Sequence, residues 1–171
     1  MALRNIVKVG DSILRKTSRP VVNFDKKLWT LLDDMKDTLR AAQGAGLAAV
    51  QVGILRRVVI VDIDDDGKGL MELVNPEIVS VSDETVEAEE GCLSLPGEWG
   101  VVKRPKSVVI KAQDRNGKWC IYKGENLRAR CFCHEIDHLD GHLYTDYVTK
   151  MLTEDDIRRM RDENLRSSSE E

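Results

Sequence analysis

The sequence predicts the α+β class, with mixed or antiparallel sheets packed around a central helix and further helices near each end. Three observations predict it. Apolar residues recur at helical spacing near the N-terminus, short β-type segments fill the middle, and helical spacing returns over two segments near the end.

In "FDKKLWTLLDDMKDTLRAA", Leu28, Leu31, Leu32, Met35, Leu39 and Ala42 share one helix face, with lysines and aspartates elsewhere. The segment runs into "QGAGLAAVQVG", where Gly44 and Gly46 mark a close turn or a place where backbone approaches another group. "RRVVIVDID" reads as a buried strand, too short for a helix and rich in β-branched residues. "LMELVNPEIVSVSD", "TVEAEE", "VVKRPKSVVIKAQD" and "KWCIYKG" follow as strands cut by Asp, Gly, Asn and Pro. "DRNGK" is a hairpin turn, because Asn116-Gly117 tolerates the positive backbone angles of tight turns. In "ENLRARCFCHEIDHLDG", Leu127, Cys131, His134 and His138 have helical spacing and Gly141 can close the helix. "TEDDIRRMRDENLR" is a last helix capped by Thr153, with a frayed tail expected from about residue 166. No repeat or linker interrupts the chain, so residues 1–171 are expected to form one domain.

The 171 residues are 42% hydrophobic and 33% charged, with a net charge of −4 that gives no electrostatic reason to expect nucleic acid. No stretch approaches the roughly 20 apolar residues of a membrane span, and the first residues lack the apolar centre of a signal peptide, so a cytoplasmic protein is expected. A chain of this size without an export signal does not need disulfides, so Cys92, Cys120, Cys131 and Cys133 read as ligands or buried side chains.

His134, Glu135 and His138 form H-E-x-x-H. Positions i and i+4 of a helix lie one turn apart on one face, so both imidazoles can reach a single metal ion while the glutamate projects beside it. A catalytic site usually takes three protein ligands and leaves a position for water. His142 lies about 12 Å along the helix from His134, out of reach of a shared ion. The longer metalloprotease pattern, with a third histidine after the glycine, fails because that position holds Tyr144. Cys131 would overextend the ligand row and Cys133 points about 100° away, so both read as small side chains on the buried side of the helix. Cys92 and Cys120 remain, with Cys92 modestly favoured because Gly91 and the nearby Pro-Gly turn free its backbone from regular pairing.

"GAGLAAVQ" (44–51), "EGCLS" (90–94) and "HEIDHLDG" (134–141) together resemble, in order and spacing, the three signature motifs of the peptide deformylases, and the likeness to the bacterial type 1 form covers nearly the whole chain. The resemblance implies hydrolysis of the formyl group from the N-terminal formyl-methionine of newly made polypeptides, releasing formate. It implies Cys92, His134 and His138 as ligands of one divalent ion, generally Fe2+, with Zn2+, Ni2+ or Co2+ able to occupy the site. Glu135 is then the acid–base residue, and the Gln51 side chain and the Leu93 backbone N–H stabilise the oxyanion. Gly46 and Gly91 would pair with extended substrate backbone, and Leu127 and Cys131 would line the methionine pocket. Formyl-methionyl nascent peptides are the implied partners, with transient ribosome contact, no direct nucleic-acid or membrane site, and a monomer expected. One departure stands out: Cys133 replaces the glutamine that the family commonly carries before the first histidine. The rival readings are an H-E-x-x-H zinc endopeptidase and a non-enzymatic protein whose metal is closed off by Cys133 or Cys131.

Overall fold

The computed structural model describes residues 2–63 and 69–168. In chain order it contains α1 (Lys26–Ala42), β1 (Gly46–Ala48), β2 (Val58–Asp62), β3 (Leu70–Val81), β4 (Thr85–Cys92), β5 (Leu95–Pro105), β6 (Ser107–Gln113), β7 (Trp119–Glu125), α2 (Leu127–Leu139), β8 (Val148–Met151) and α3 (Glu154–Ser167). Five strands form one antiparallel sheet in the order β1-β2-β3-β6-β7, and β4-β5-β8 form a second. The α+β class expected from the sequence is the class observed.

Asp25 caps α1, accepting the Leu28 N–H at 3.1 Å. Gln43 ends the helix in the left-handed conformation at φ 54°. The expected apolar face, Leu28, Leu31, Leu32, Met35 and Leu39, is buried, and Ala42 at the last turn is half-buried. That face meets Val58 and Ile60 of β2, while Val59 and Val61 point the other way toward Ala129, Phe132 and Ile136 of α2. Strand β2 therefore has no solvent face. This explains why "VVIV" is a continuous apolar run and not an alternating one. Burying each such side chain contributes roughly 1.5–3 kcal/mol, and β2 is where the two apolar clusters share a strand.

Helix α2 is buried at every position except Leu127 and Asp137, and it packs against β1, β2, β5, β6 and β7. Gly141 follows its cap at φ 77°, as the sequence predicts, and a Cβ there would lie 2.5 Å from the Arg15 carbonyl oxygen. Thr153 caps α3 by accepting the Asp156 N–H at 3.2 Å. The helix continues through Ser167, so Arg166 and Ser167 are helical where fraying was expected; residues 169–171 lie outside the described residues. Of the "DRNGK" turn, Gly117 alone has positive φ, 86°. Asp114 Oδ1 accepts the N–H groups of Asn116 (2.8 Å) and Lys118 (3.0 Å), which lengthens the turn and spares Asn116 the left-handed conformation.

Candidate metal centre and active-site cleft

Two elements bring the ligand set together. Helix α2 carries His134 and His138 one turn apart, and the end of β4 carries Cys92. Cys92 Sγ lies 3.4 Å from His138 Nε2, the two Nε2 atoms are 3.2 Å apart, and all three ligand atoms fall within 4.8 Å of one another. Cys120, Cys131, Cys133 and His142 are outside this group: Cys120 sits half-buried on β7, Cys131 and Cys133 are buried on α2, and His142 is exposed. Burial first, with Arg104 opposing, pushes the Cys133 thiol up to about 11, so it is protonated at neutral pH.

The tautomer of His134 follows from its neighbours. Glu90 Oε1 lies 2.8 Å from His134 Nδ1, and the same carboxylate accepts from Arg104 (2.9 and 3.0 Å) and Arg130 (2.6 Å). Burial opposes ionisation of Glu90, but the hydrogen bonds from His134 and Arg104 outweigh it and hold its carboxyl down at about 2. The carboxylate therefore accepts the Nδ1–H hydrogen bond, which makes Nε2 the nitrogen that faces His138 and Cys92. Burial opposes a charge on His134, but its hydrogen bonds with Cys92 and Glu90 outweigh that and raise the imidazole to about 10, whereas burial, reinforced by the charge on His134, holds His138 well below the usual histidine range, so the pair shares one charge, carried by His134. Two imidazole Nε2 atoms and a thiol converge on one point, a donor set that fits a divalent cation able to displace the His134 Nε2 proton.

Arg130 also donates to Val102 O and Val86 O, both at 2.8 Å, and Arg104 donates to Asp137 Oδ2 at 2.7 Å. Glu90, Arg104 and Arg130 thus lock the ligand helix to the β4–β5 hairpin that carries Cys92. Glu90 opens the "EGCLS" motif but was given no role of its own, and Arg104 and Arg130 lie outside the three motifs. A signal existed: Val86, Ala88 and Glu90 share one phase of β4, and Gly100, Val102 and Arg104 share one phase of β5, so period two puts opposite charges on the inward faces of neighbouring strands.

A cleft of about 630 Å³ opens beside this centre, lined by Gly46, Gln51, Gly91, Cys92, Leu93, Leu127, Cys131, His134 and Glu135 among others. Glu135 is buried and its Oε2 has no hydrogen-bond partner among the described residues. Burial is the main cause that lifts its carboxyl to about 7, where it can both take and return a proton near neutrality. Gly46 makes room for it: a Cβ there would lie 2.6 Å from Glu135 Oε1. The edge strand β1 that carries Gly46 pairs on one side with β2. Gln51 is 1% exposed, and its Oε1 accepts the Ala48 N–H at 2.9 Å, which turns Nε2 toward Ser94 Oγ (3.1 Å) and Cys92 Sγ (3.5 Å). Leu93 lies in the β4–β5 turn beside Cys92, and its carbonyl accepts from Lys8 Nζ at 3.1 Å. Ser94 closes the "EGCLS" motif but was given no role of its own, and Lys8 lies outside the motifs, a surface lysine with no spacing signal.

Comparison with known proteins decides between the rival readings. The polypeptide deformylase family model matches residues 3–154. The chain belongs to the polypeptide deformylase family. A peptide deformylase of Caldicellulosiruptor bescii is 53% identical over 161 residues, covering 94% of this chain and 95% of its own. One from Acetivibrio thermocellus is 51% identical and covers 98% and 96% respectively. The crystal structure of a peptide deformylase from Legionella pneumophila is 43% identical, superimposes with a TM-score of 0.82 and covers 99% of both chains. With a deformylase established over this length, the endopeptidase and the structural-metal readings fall away. The deformylase is a metalloenzyme with a three-residue site able to hold an ion. Among its described residues no helix is long and apolar enough to cross a membrane.

Proposed function

We propose that Cys92, His134 and His138 hold one divalent ion, Fe2+ in the cell, and that Glu135, Gln51 and Leu93 act around it to remove the formyl group from the N-terminal methionine of nascent polypeptides. The observation that carries this reading is the convergence of two imidazole Nε2 atoms and a thiol beside a buried carboxyl with an unpartnered oxygen. An ion held there supplies Lewis acidity and makes water acidic enough to serve as nucleophile near neutral pH.

Glu135 takes the proton of the attacking water and returns one to the leaving amine, a shuttle that a carboxyl lifted to about 7 can run in both directions. Gln51 has its amide oxygen tied to the Ala48 N–H, so its Nε2 is pre-oriented to donate to charge developing on the formyl oxygen, with the Leu93 N–H as second donor. Gly46, on edge strand β1, and Gly91, on β4, offer backbone to an extended peptide on either side of the cleft. Leu127, 55% exposed, and buried Cys131 give the cleft an apolar wall suited to the methionine side chain. We further propose that the whole chain acts as a single catalytic domain, as a cytoplasmic monomer that meets its nascent substrates in transient contact with the ribosome.

The test is formate release from a formyl-methionyl peptide by anaerobically prepared protein, with bound metal measured in parallel. Cys92→Ala should lose both metal and formate release, while Cys133→Ala should keep both. Metal retained in Cys92→Ala and lost in Cys133→Ala would overturn the ligand assignment.

A further inference from the structure

The longer metalloprotease pattern would put a third histidine ligand where this chain has Tyr144, a residue with no part in the mechanism above. The fold nonetheless places that side chain against the metal centre. Tyr144 is 2% exposed, and its ring centroid lies 6.0 Å from that of His134 with the two planes 23° apart, an offset stack. Its hydroxyl donates to the Glu98 carbonyl oxygen at 3.4 Å. A Cβ on Gly100 would lie 3.3 Å from Tyr144 Cε2, so the ring also rests on β5. Tyr144 is thus wedged between β5 and the ligand helix. The backbone that mounts it is fastened as well. Tyr144 opens a 3-10 turn through Asp146, and its carbonyl accepts the Tyr147 N–H at 3.0 Å. Asp146 accepts the Leu143 N–H at 3.1 Å and two hydrogen bonds from Arg15 at 2.6 and 3.1 Å, which tie the turn to the N-terminal segment.

The stack supplies a restraint that the other contacts of His134 leave open. Glu90 Oε1 meets Nδ1 at 2.8 Å, and the Nε2 atoms of His134 and His138 are 3.2 Å apart. Both contacts lie at ring nitrogens. The outer torsion of a histidine side chain is broad, and a hydrogen bond at Nδ1 sets where one nitrogen points while the ring plane can still tilt about that bond. An imidazole lone pair lies in the plane of its ring, so a tilted plane misdirects Nε2 even with Glu90 in place. An aromatic face stacked on the imidazole resists that tilt. His138 meets His134 edge-to-face, with centroids 4.9 Å apart and planes at 74°, and supplies no second stacked face.

We propose that Tyr144 is a positioning residue for the reaction: its ring holds the plane of His134 so that Nε2 stays directed at the point it shares with His138 and Cys92. The proposal rests on the ligand set proposed above and adds to it a residue that is not among those lining the cleft.

The experiment uses Co2+ as the probe, because its visible absorption reports the geometry of its ligands. Wild type, Tyr144→Phe, Tyr144→Leu and Tyr144→Met are compared for Co2+ affinity against a chromophoric chelator, for the visible spectrum, for kcat and KM of formate release, and for Tm without metal. Loss of the stack in the Leu and Met variants should lower affinity about fivefold, within the roughly 2- to 12-fold that a stacked aromatic pair is worth. The Co2+ bands should shift, and kcat should fall about tenfold with KM within about twofold of wild type. Using both aliphatic variants keeps the comparison readable where one of them folds poorly. Tyr144→Phe keeps the ring and loses only the bond to Glu98, so it should return affinity, spectrum and kcat to within about twofold of wild type. A Leu or Met variant with lowered Tm but wild-type spectrum and affinity would overturn the proposal, since a purely structural tyrosine gives that result. So would a Phe variant that behaves as the Leu variant does, which would credit the hydroxyl and not the stack. A wild type that binds no Co2+ would overturn the ligand reading and this one with it.

Discussion

Replacing Glu90 by glutamine tests whether a buried ion network holds the metal centre together. Glu90 accepts four hydrogen bonds, two from Arg104, one from Arg130 and one from His134. Glu90→Gln keeps the shape but removes the charge and turns an NH2 group toward donors. Breaking a buried pair costs about 3–5 kcal/mol because the partner charge is left uncompensated. Here Arg104 keeps Asp137 and Arg130 keeps two carbonyls, which places the cost near the lower end, about 3 kcal/mol. For a chain of this length each kcal/mol lowers Tm by about 2–4 °C, so calorimetry of the metal-free protein should show a fall of roughly 6–12 °C. His134 also loses the acceptor that fixes its tautomer, and competition against a chromophoric chelator should show metal affinity reduced about 10–100-fold. Glu87→Gln, on the exposed phase of the same strand, is the control and should stay within about 0.5 kcal/mol. A Glu90→Gln protein whose Tm and metal affinity match the control would refute the network argument.

Other outcomes follow from the same structure. Gly46→Ala would place a Cβ 2.6 Å from Glu135 Oε1, and a displacement of about 1 Å in the acid–base residue should lower kcat about 100-fold with metal content unchanged by elemental assay. Ser94→Ala removes the hydroxyl on Gln51 Nε2 at the cost of about 1 kcal/mol of orientation, expected as a roughly fivefold fall in kcat with little change in KM. Asp34 is held below the usual carboxylate range, first by the Ala2 N–H and also by Arg4, so its charged form stabilises the fold. That contribution is fully present above the unfolded value near about 3.9 and is lost as pH falls through the lower folded value. The stability gap between wild type and Asp34→Asn, about 1.5 kcal/mol by denaturant titration at pH 7, should close as pH falls below about 4; a gap independent of pH would contradict it.

Much of the fold was written in side-chain periodicity. The 3.6-residue repeat of Leu28 through Leu39 and the cap at Thr153 are local properties, and each holds in the structure. Strands β1 and β8 escaped because three- and four-residue segments are defined by their partners and not by their own pattern. Asn116-Gly117 misled because a side chain two residues upstream, Asp114, competes for the turn's N–H groups. In the site, the H-E-x-x-H pair was legible because helical geometry alone brings His134 and His138 together. Cys92 was only modestly favoured over Cys120 on residue physics, since nothing local reports that β4 ends beside α2; its order among the family's motifs identified it. Glu90 sits in a run of acidic residues and looks solvated until alternation along β4 is set against Arg104 on β5.

The central claim is that Glu135 moves the proton in a metal-dependent deformylation. Formate release and bound metal measured together on Glu135→Gln test it most directly. The variant should retain its metal, because Glu135 is not among the three grouped ligand residues, and turnover should fall by about 10²- to 10⁴-fold. Undiminished formate release by a fully metallated Glu135→Gln enzyme would contradict the account.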